Sequence, residues 1–354
     1  MPEGKRNRIL SAAGLVGLLT VIVSSVASSI GIAQGAPTPE WSIATAYPAD
    51  TVSGKAADDF ARLLNDAGAN TARAVPHFAD KKGVASVQDR ISQQPFGVLF
   101  AGDLGARDAI LALSIRPYEV NSIAEAREMA RMAKPAYRSA LANHGLILLA
   151  VIPWPPTGIW SRKTINSPSD LVGMRIRTYD ESSRRVMELL GAQVVFLPIQ
   201  EALAQIKAGS VDAVMSSGDG AAGRAYAEVL PNFTALGYAY PVSFLVANKR
   251  FLDGLPERQR AAIFAAGLQA ESHAWERLPE RVSHNYEGMV ARGVTVRDPA
   301  PRALLEAISR AAKEDSRESM LSDYETTQML AQFRACRPRT CRACAAIADT
   351  EVTQ

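Results

Sequence analysis

The sequence predicts an α/β protein built from two lobes. Residues 170–223 order their apolar runs and amphipathic stretches as strand, helix, strand, helix, strand, and this alternation is typical of a parallel sheet. The chain has 354 residues, and the part that remains after an N-terminal signal exceeds what one hydrophobic core usually supports. A proline-rich crossover over 153–160 divides two groups of such elements, so we expect one lobe on each side of it.

The N-terminus has the pattern of a secretory signal. Three basic residues precede an apolar run over 9–32, and small residues ending at Ala36 offer a cleavage site. We therefore predict that residues 1–36 are a signal peptide and that the mature protein is periplasmic. An uncleaved anchor is the alternative, because about 20 apolar residues suffice to cross a bilayer.

Charge and cysteine usage argue against a nucleic-acid partner and a cofactor. After residue 36 basic and acidic residues are nearly balanced, and four of the basic ones are tail arginines, so the body lacks a nucleic-acid footprint. We predict that 331–354 is an irregular, Cys- and Arg-containing tail in which two cysteines can pair. A closed zinc site needs four ligands, and no histidine follows His284. All of the cysteines lie in this tail, at Cys336, Cys341 and Cys344.

The first group of elements alternates strands and helices. The first strand feeds a helix N-terminus, whose free N–H groups favour an anion, so Tyr47 and the loop behind it are candidates to hold one. Ser122 and Glu125 form a capping box for a helix that Pro135 should kink. In order, we predict a strand over 41–47, a helix over 52–64, a strand over 72–78, a helix over 82–93, a strand over 96–101, a turn over 102–105, a helix over 122–144 and a strand over 146–152.

The crossover over 153–160 contains three prolines. Because proline lacks a backbone donor, we expect neither regular helix nor central strand here, but a hinge strand between lobes. Trp154 either lines a cleft or packs locally, and for Trp160 we expect local packing.

The second group places polar residues after its strands. Arg177 and Tyr179 lie at the end of a strand over 174–178, and Ser216, Ser217 and Asp219 follow a strand over 211–215. Ligands of such sheets bind beyond the carboxyl ends of the strands. The G-x-G-x-x-G that begins at Gly218 lacks the acidic residue that a dinucleotide site requires, so we interpret it as a tight turn against the ligand.

The remaining chain is expected to be structural. Residues 233–247 read as a strand that returns to the first lobe, with Tyr240 and Phe244 as candidates for the cleft wall. A long helix begins after Pro256, Pro279 breaks or kinks it, and a last helix covers 304–320. His273, Glu276 and His284 share nearly one helix face, but four-ligand geometry is not evident and no metal is predicted.

A family resemblance rests on residues 170–214, DLVGMRIRTYDESSRRVMELLGAQVVFLPIQEALAQIKAGSVDAV. This segment resembles the central signature of periplasmic substrate-binding proteins of tripartite ATP-independent periplasmic (TRAP) transporters, the DctP-like family. The resemblance begins at YPADTVSGKAADDFARLL and extends to about Leu330. It implies a two-lobe periplasmic binding protein fold with hinge strands and a long connecting helix. It also implies that the lobes close over a small organic acid, which is passed to a membrane permease.

The resemblance assigns the ligand carboxylate to Arg177, which closes the G-x-(K/R)-(I/L)-R pattern. A guanidinium meets a carboxylate bidentately, so the chemistry agrees. The alternative is an ion pair from Arg177 to Asp180 or Glu181. The predicted secondary ligand contacts are Tyr47, Tyr179, Ser216, Ser217 and Asp219, with Trp154 and Tyr240 nearby.

Two departures from the family pattern predict a changed ligand. No arginine stands near Thr157, where many members carry one, and VMSSGDG replaces a GQENP-like turn, with Ser216 nearest its asparagine. Hydroxyl groups and the Asp219 carboxylate would suit a smaller or more polar acid, or one with an amine or hydroxyl group.

We predict that the protein binds its ligand without chemistry. Alternatives are a ligand-sensing module of a membrane receptor, or an exported hydrolase that uses Ser216, His273 and Asp219, although no nucleophile elbow supports the latter. The predicted boundaries are 37–155 plus 240–280 for lobe I, 156–239 plus 281–330 for lobe II, and 331–354 for the tail.

Overall fold

The computed structural model describes residues 39–68, 72–78, 94–105, 108–197, 199–319 and 324–336. The predicted signal peptide and the predicted helix over 82–93 lie outside these residues, as do Cys341 and Cys344. None of the helices within the described ranges combines the length and the apolar character needed to cross a membrane.

Where the first group is described, its predicted strands and helices are present in order, with two differences: a 3₁₀ helix over Ala109–Ile115 was not predicted, and the second concerns residues 102–105. The predicted turn over 102–105 is mostly a short helix, in which the ring of Phe100 packs over Gly102. The elements are β1 Glu40–Thr45, α1 Val52–Asp66, β2 Arg73–His77, β3 Phe96–Phe100, α2 Ala101–Leu104, a 3₁₀ helix Ala109–Ile115, α3 Ile123–Asn143 and β4 Leu146–Pro153. Ser122 caps α3 by accepting from the Glu125 N–H at 3.1 Å, and Pro135 lies inside this helix without ending it.

The middle of the chain supplies the second group. In order, its elements are β5 Gly158–Ser161, a 3₁₀ helix Pro168–Leu171, β6 Arg175–Thr178, α4 Glu181–Leu189, β7 Gln193–Phe196, α5 Ile199–Lys207, β8 Ala213–Ser216, α6 Gly220–Ala227 and β9 Asn232–Thr234. Gly191 follows α4 with a φ of +81°, a conformation that favours glycine and ends the helix.

The last third of the chain returns to the first lobe and then crosses again. It forms β10 Val242–Asn248, α7 Lys249–Asp253, α8 Glu257–Ala291, β11 Thr295–Arg297, α9 Arg302–Ser319 and α10 Tyr324–Cys336. The predicted strand over 233–247 is thus two strands, β9 and β10, which lie in different sheets.

Two mixed sheets form the centres of the two lobes. The first has the order β2-β1-β3-β10-β4 and the second β11-β9-β5-β8-β6-β7. The predicted parallel pairing holds for β6 with β7 and β8, whereas β5 and β10 run antiparallel to both of their neighbours. The expectation that no central strand begins before residue 161 was wrong, because β5 starts at Gly158, just after the last proline of the crossover.

Two short crossovers pair with each other between the sheets. The Trp154 N–H donates to the Pro241 carbonyl at 2.8 Å, and the Thr157 N–H donates to the Ala239 carbonyl at 2.9 Å. The Tyr238 N–H returns a bond to the Thr157 carbonyl at 3.0 Å. The lobe boundaries that we predict, at 155/156 and 239/240, fall in these crossovers.

Helix α8 is the third crossing. Its first half packs on β4, where a Cβ on Gly267 would lie 3.0 Å from Leu149 Cβ, and Tyr286 and Met289 near its end belong to the core around Trp160 in the second lobe. Its 35 residues span about 50 Å. Pro279, which we predicted to break or kink this helix, lies inside it without ending it, and the neighbouring Leu278 is buried.

The predicted irregular tail is helical at its start. In α10, Leu330 and Phe333 are buried in the core of the first lobe, and Arg334 forms an ion pair with Glu119 at 2.5 Å. Residues 324–330 therefore pack on the first lobe rather than the second, and 331–336 continue their helix. Cys336, at its end, forms a disulfide bond.

Candidate functional site

Four aromatic side chains meet between the two sheets, and we call them the aromatic cluster. They are Tyr47, Phe100, Trp154 and Tyr179. The Tyr47 ring lies 5.0 Å from Trp154 and 6.3 Å from Phe100 between centroids. Phe100 also lies 6.0 Å from Trp154 and 6.2 Å from Tyr179. All of these pairs are edge-on, a favoured arrangement of aromatic rings.

The strand directions explain why these residues meet. β1, β3 and β4 run the same way in the first sheet, and Tyr47, Phe100 and Trp154 lie at or just beyond their carboxyl ends. Tyr179 follows the carboxyl end of β6 in the second sheet, so the edges of both sheets contribute to one site. This arrangement agrees with the rule for ligand sites of α/β sheets.

A buried hydrogen-bond chain fixes the Trp154 ring. Its Nε1–H donates to Ser243 Oγ at 2.9 Å, and this hydroxyl is 2.9 Å from Ser53 Oγ. On the other side of the cluster, Tyr179 Oη is 3.2 Å from Thr157 Oγ1. The indole and phenol planes are therefore oriented before any ligand binds.

Arg177 is a buried cation without a carboxylate partner. It is 5% exposed, and its Nε–H donates to the Leu197 carbonyl at 2.9 Å. In the described parts of the chain, no aspartate or glutamate forms an ion pair with it. Two residues earlier on β6, by contrast, Arg175 pairs bidentately with Asp212 at 2.6 and 2.8 Å.

The alternative partners of Arg177 are engaged elsewhere. Asp180 caps α4, where its carboxylate accepts from Ser183 N and Ser183 Oγ, both at 2.8 Å. Glu181 pairs with Arg184 and Arg185 on the same helix. The predicted alternative, an ion pair from Arg177 to one of these acids, is therefore wrong.

Three tyrosines lie close enough to Arg177 for its charge to act on their phenol groups. Burial raises the pKa of Tyr47, Tyr179 and Tyr226, and the positive charge of Arg177 opposes this rise in each of them. The Tyr226 hydroxyl is fully buried and has no hydrogen-bond partner among the described residues. Sequence reasoning missed Tyr226, because it lies in a helix whose placement over the second sheet depends on distant packing.

Asp103 is a second site residue that the sequence did not indicate. It lies in α2, three residues after Phe100, and is half-buried. Burial raises the pKa of its carboxyl group from 3.8 to about 7, and the nearby Arg177 opposes this rise. The same carboxyl group contributes to the raised pKa of Tyr47, so Asp103 is close enough to influence charge at the aromatic cluster.

The protonation of Asp103 predicts a pH-dependent affinity. Below a pKa of about 7 Asp103 is neutral and does not offset the positive charge of Arg177, whereas above it the carboxylate repels a bound anion. We expect the affinity for a monocarboxylate to fall as pH rises from 6 to 8, by at most about tenfold per pH unit. Titration calorimetry at several pH values checks this.

Asp103→Asn is the matched variant for the pH profile. It keeps the size of the side chain and removes the titration, so its affinity should not change over the same range. An equal decline in both proteins would assign the pH dependence to another group.

The loop after β8 packs on the second lobe, and the hydroxyl groups of its serines are not freely exposed to solvent. Ser216 Oγ accepts from the Gly218 N–H at 3.1 Å, and Ser217 is buried. Gly218 has a φ of +67°, and a Cβ there would lie 2.4 Å from the Trp160 ring. Trp160 is fully buried against Tyr226 and Phe233, which confirms its predicted local packing.

Asp219, predicted as a ligand contact, is engaged by the protein. Its side chain is 0% exposed and accepts from Val52 N at 2.9 Å, Arg281 Nε at 2.6 Å, Arg281 Nη2 at 2.9 Å and Asn285 Nδ2 at 3.0 Å. The structure gives the Asp219 carboxylate protein donors on every side, and its predicted ligand contact stays a prediction. We expected the N-terminus of α1 to bind an anionic group of the ligand. In the structure the carboxylate of Asp219 lies there instead.

Tyr240 lies away from the aromatic cluster. It lines a groove of about 680 Å³ together with Tyr118, Arg310 and Lys313, and the carboxylates that raise its pKa after burial are Glu125 and Asp298. Phe244 is fully buried against Tyr137, 4.9 Å between ring centroids. Phe244 therefore packs in the core of the first lobe, and the ligand contact predicted for Tyr240 stays a prediction.

The residues nominated for hydrolysis are not assembled. His273 Nδ1 is 2.6 Å from Asp59 Oδ2, while Asp219 bonds to Arg281 and Ser216 bonds to Gly218. Among the described residues there is no cluster of three or more histidines, cysteines and acids that could hold a metal ion.

A family model and curated proteins match this chain, which spans about two fifths to two thirds of the length of two curated relatives. Residues 43–323 match the family model of DctP, bacterial extracellular solute-binding protein, family 7. A solute-binding protein of Albidiferax ferrireducens is 31% identical over 140 residues, 38% of this chain and 41% of that protein. The ectoine-binding periplasmic protein TeaA of Halomonas elongata is 22% identical over 62% of this chain and 66% of its own length.

Solved structures share the architecture at low identity. DctP7 of Bordetella pertussis, an extracytoplasmic solute receptor binding pyroglutamic acid, superposes with a TM-score of 0.78 at 23% identity, covering 83% of this chain and 99% of that one. A TRAP periplasmic solute-binding protein from Sulfitobacter with bound β-D-galacturonate gives a TM-score of 0.75 at 18% identity, covering 84% and 100%.

Proposed function

Since the chain belongs to the DctP family of bacterial extracellular solute-binding proteins, we propose that it captures a small organic acid by closure of its two lobes and delivers it to a TRAP-type membrane permease. The predicted periplasmic location belongs to this proposal. The protein binds and releases its ligand unchanged.

The buried guanidinium of Arg177 carries the proposal. A buried charge is costly unless it is paired, and Arg175, on the same strand, has a carboxylate partner whereas Arg177 has none among the described residues. A carboxylate that is brought by a ligand completes the pair through bidentate, charge-assisted bonds. The phenol hydroxyl of Tyr226, also without a partner in the described chain, can donate to the same ligand.

The aromatic cluster favours a compact ligand with an apolar face. Its rings are packed edge-on with centroids 5.0–6.3 Å apart, so they form one compact apolar group. Structural relatives bind pyroglutamic acid and β-D-galacturonate. We therefore propose a small cyclic or branched monocarboxylate as the ligand class.

The test is thermal unfolding of the mature chain against small carboxylic acids, each matched with its uncharged amide. A ligand at about 100 times its dissociation constant adds about 2.7 kcal/mol to the free energy of unfolding, which raises the midpoint by several degrees. We expect one class of acid to raise it and the corresponding amides to leave it unchanged. Equal shifts with acid and amide, or no shift with any acid, would contradict the proposal.

A further inference from the structure

Asp219 connects the second lobe to the first. It follows β8 of the second sheet, yet its Oδ2 accepts from the Val52 N–H at 2.9 Å, where α1 of the first lobe begins. A carboxylate at a helix N-terminus interacts favourably with the free N–H groups and the helix dipole. The N-terminus of α1, whose own N-cap is Thr51, therefore also donates to a side chain of the other lobe.

The loop before α1 makes a second set of contacts with the second lobe. Asp50 forms an ion pair with Arg224 on α6, and its carbonyl accepts from Arg281 Nη2. Gly220, at the start of α6, lies so close that a Cβ there would be 3.0 Å from the Asp50 carbonyl oxygen. The two lobes thus meet through backbone as well as side-chain groups.

Arg281 belongs to neither lobe alone. It lies on α8, which crosses between them, and it donates both to Asp219 of the second lobe and to the Asp50 carbonyl of the first. Any separation of the lobes breaks at least one of these bonds, whichever lobe Arg281 follows. It also separates Asp219 from Val52.

We propose that Asp50, Val52, Asp219, Arg224 and Arg281 form an interlobe latch that favours the closed arrangement by itself. None of these residues belongs to the aromatic cluster or contacts Arg177 in the described structure, so their effect on a ligand is exerted through closure. Asp219 and Arg281 are therefore positioning residues. The latch goes beyond the proposed function, because that function requires the lobes to close around a ligand but does not say what favours the closed arrangement.

The latch changes the ratio of closed to open protein rather than the ligand contacts. Charge-assisted hydrogen bonds are about twice as strong as neutral ones, and the Asp219 side chain is 0% exposed, so screening by salt is weak there. The Asp50–Arg224 pair, with side chains 36% and 51% exposed, is worth less and is sensitive to salt. A ligand that needs the closed state gains affinity in proportion to its population.

The experiment measures the distance between lobes in the full mature chain with no ligand added. Fluorescent labels are placed at the exposed Lys55 on α1 and Lys207 on α5, and single-molecule energy transfer gives the closed and open fractions. We expect Asp219→Asn to lower the closed-to-open ratio at least about tenfold and Arg224→Gln to lower it less.

Asp212→Asn is the matched control, because it weakens an equally bidentate pair with Arg175 that lies within one lobe, and it should leave the ratio unchanged. Circular dichroism confirms that each variant is folded. If Asp219→Asn does not fold, Arg224→Gln alone tests the latch. Identical distance distributions in the wild type and the folded latch variants, or the same shift in Asp212→Asn, would overturn the latch. Because no ligand is present, this result does not depend on the ligand test above.

Discussion

Replacing Arg177 by glutamine is expected to abolish stabilisation by carboxylates and to leave the ligand-free protein at least as stable as the wild type. Two charge-assisted bonds, worth about 1.5–3 kcal/mol each, are lost from the complex, so affinity should fall at least about 100-fold. The ligand-free protein loses one bond, from Nε to the Leu197 carbonyl, but no longer buries an uncompensated charge. Titration calorimetry and urea unfolding measure the two effects separately.

Arg175→Gln is the control for Arg177, since it lies two residues away on β6 and pairs with Asp212 at a half-exposed position. It should lower the free energy of unfolding by at most about 1 kcal/mol and leave ligand affinity unchanged. A large loss of stability in Arg177→Gln would show that the guanidinium has a structural role. A loss of affinity in Arg175→Gln as well would show that the two charges act through their general field.

Strand periodicity and the rule of carboxyl ends located much of the site from sequence. The alternation before Tyr179 placed Arg177 at the end of β6, and the proline crossover left Trp154 either lining a cleft or packing locally. Both inferences depend on residues close in the chain, where side chains alternate between the faces of a strand. They therefore do not require knowledge of how distant segments pack.

Asp219 shows why other parts of the site were not predictable. In the sequence it is an acid in a glycine-rich turn after a strand, as a ligand contact would be. Its partners lie 167 residues earlier, at Val52, and 62 residues later, at Arg281, and nothing local indicates them. Tyr226 and Asp103 escaped notice for the same reason, because their relation to Arg177 exists only after the two sheets are in place.

The start of the tail was misread for a different reason. Arginines and cysteines dominate its composition, yet Leu330 and Phe333 are spaced for one helix face and are both buried. Composition hides such a short pattern, although α10 buries Thr326, Leu330 and Phe333. Periodicity is therefore more informative than composition even over a single helical turn.

Asp219→Ala is expected to cause the largest loss of stability among single substitutions outside the ligand site. Removing one partner of a buried pair leaves the other uncompensated and costs about 3–5 kcal/mol, and here the Val52 N–H and the Asn285 amide also lose their acceptor. Urea unfolding of the ligand-free protein should show a lower midpoint with little change in slope.

Asp212→Ala distinguishes the effect of burial on stability from the effect of losing an ion pair. Asp212 also accepts two bonds from one arginine, but its side chain is 28% exposed and that of Arg175 is 40% exposed, so water can replace the lost contacts. Asp212→Ala should therefore cost at most about 1 kcal/mol. Equal losses in the two variants would mean that Asp219 stabilises the protein no more than a partly exposed ion pair does. Its burial between the lobes would then add nothing to the free energy of unfolding. A threefold or larger difference would show that desolvation at the lobe contact makes this carboxylate indispensable.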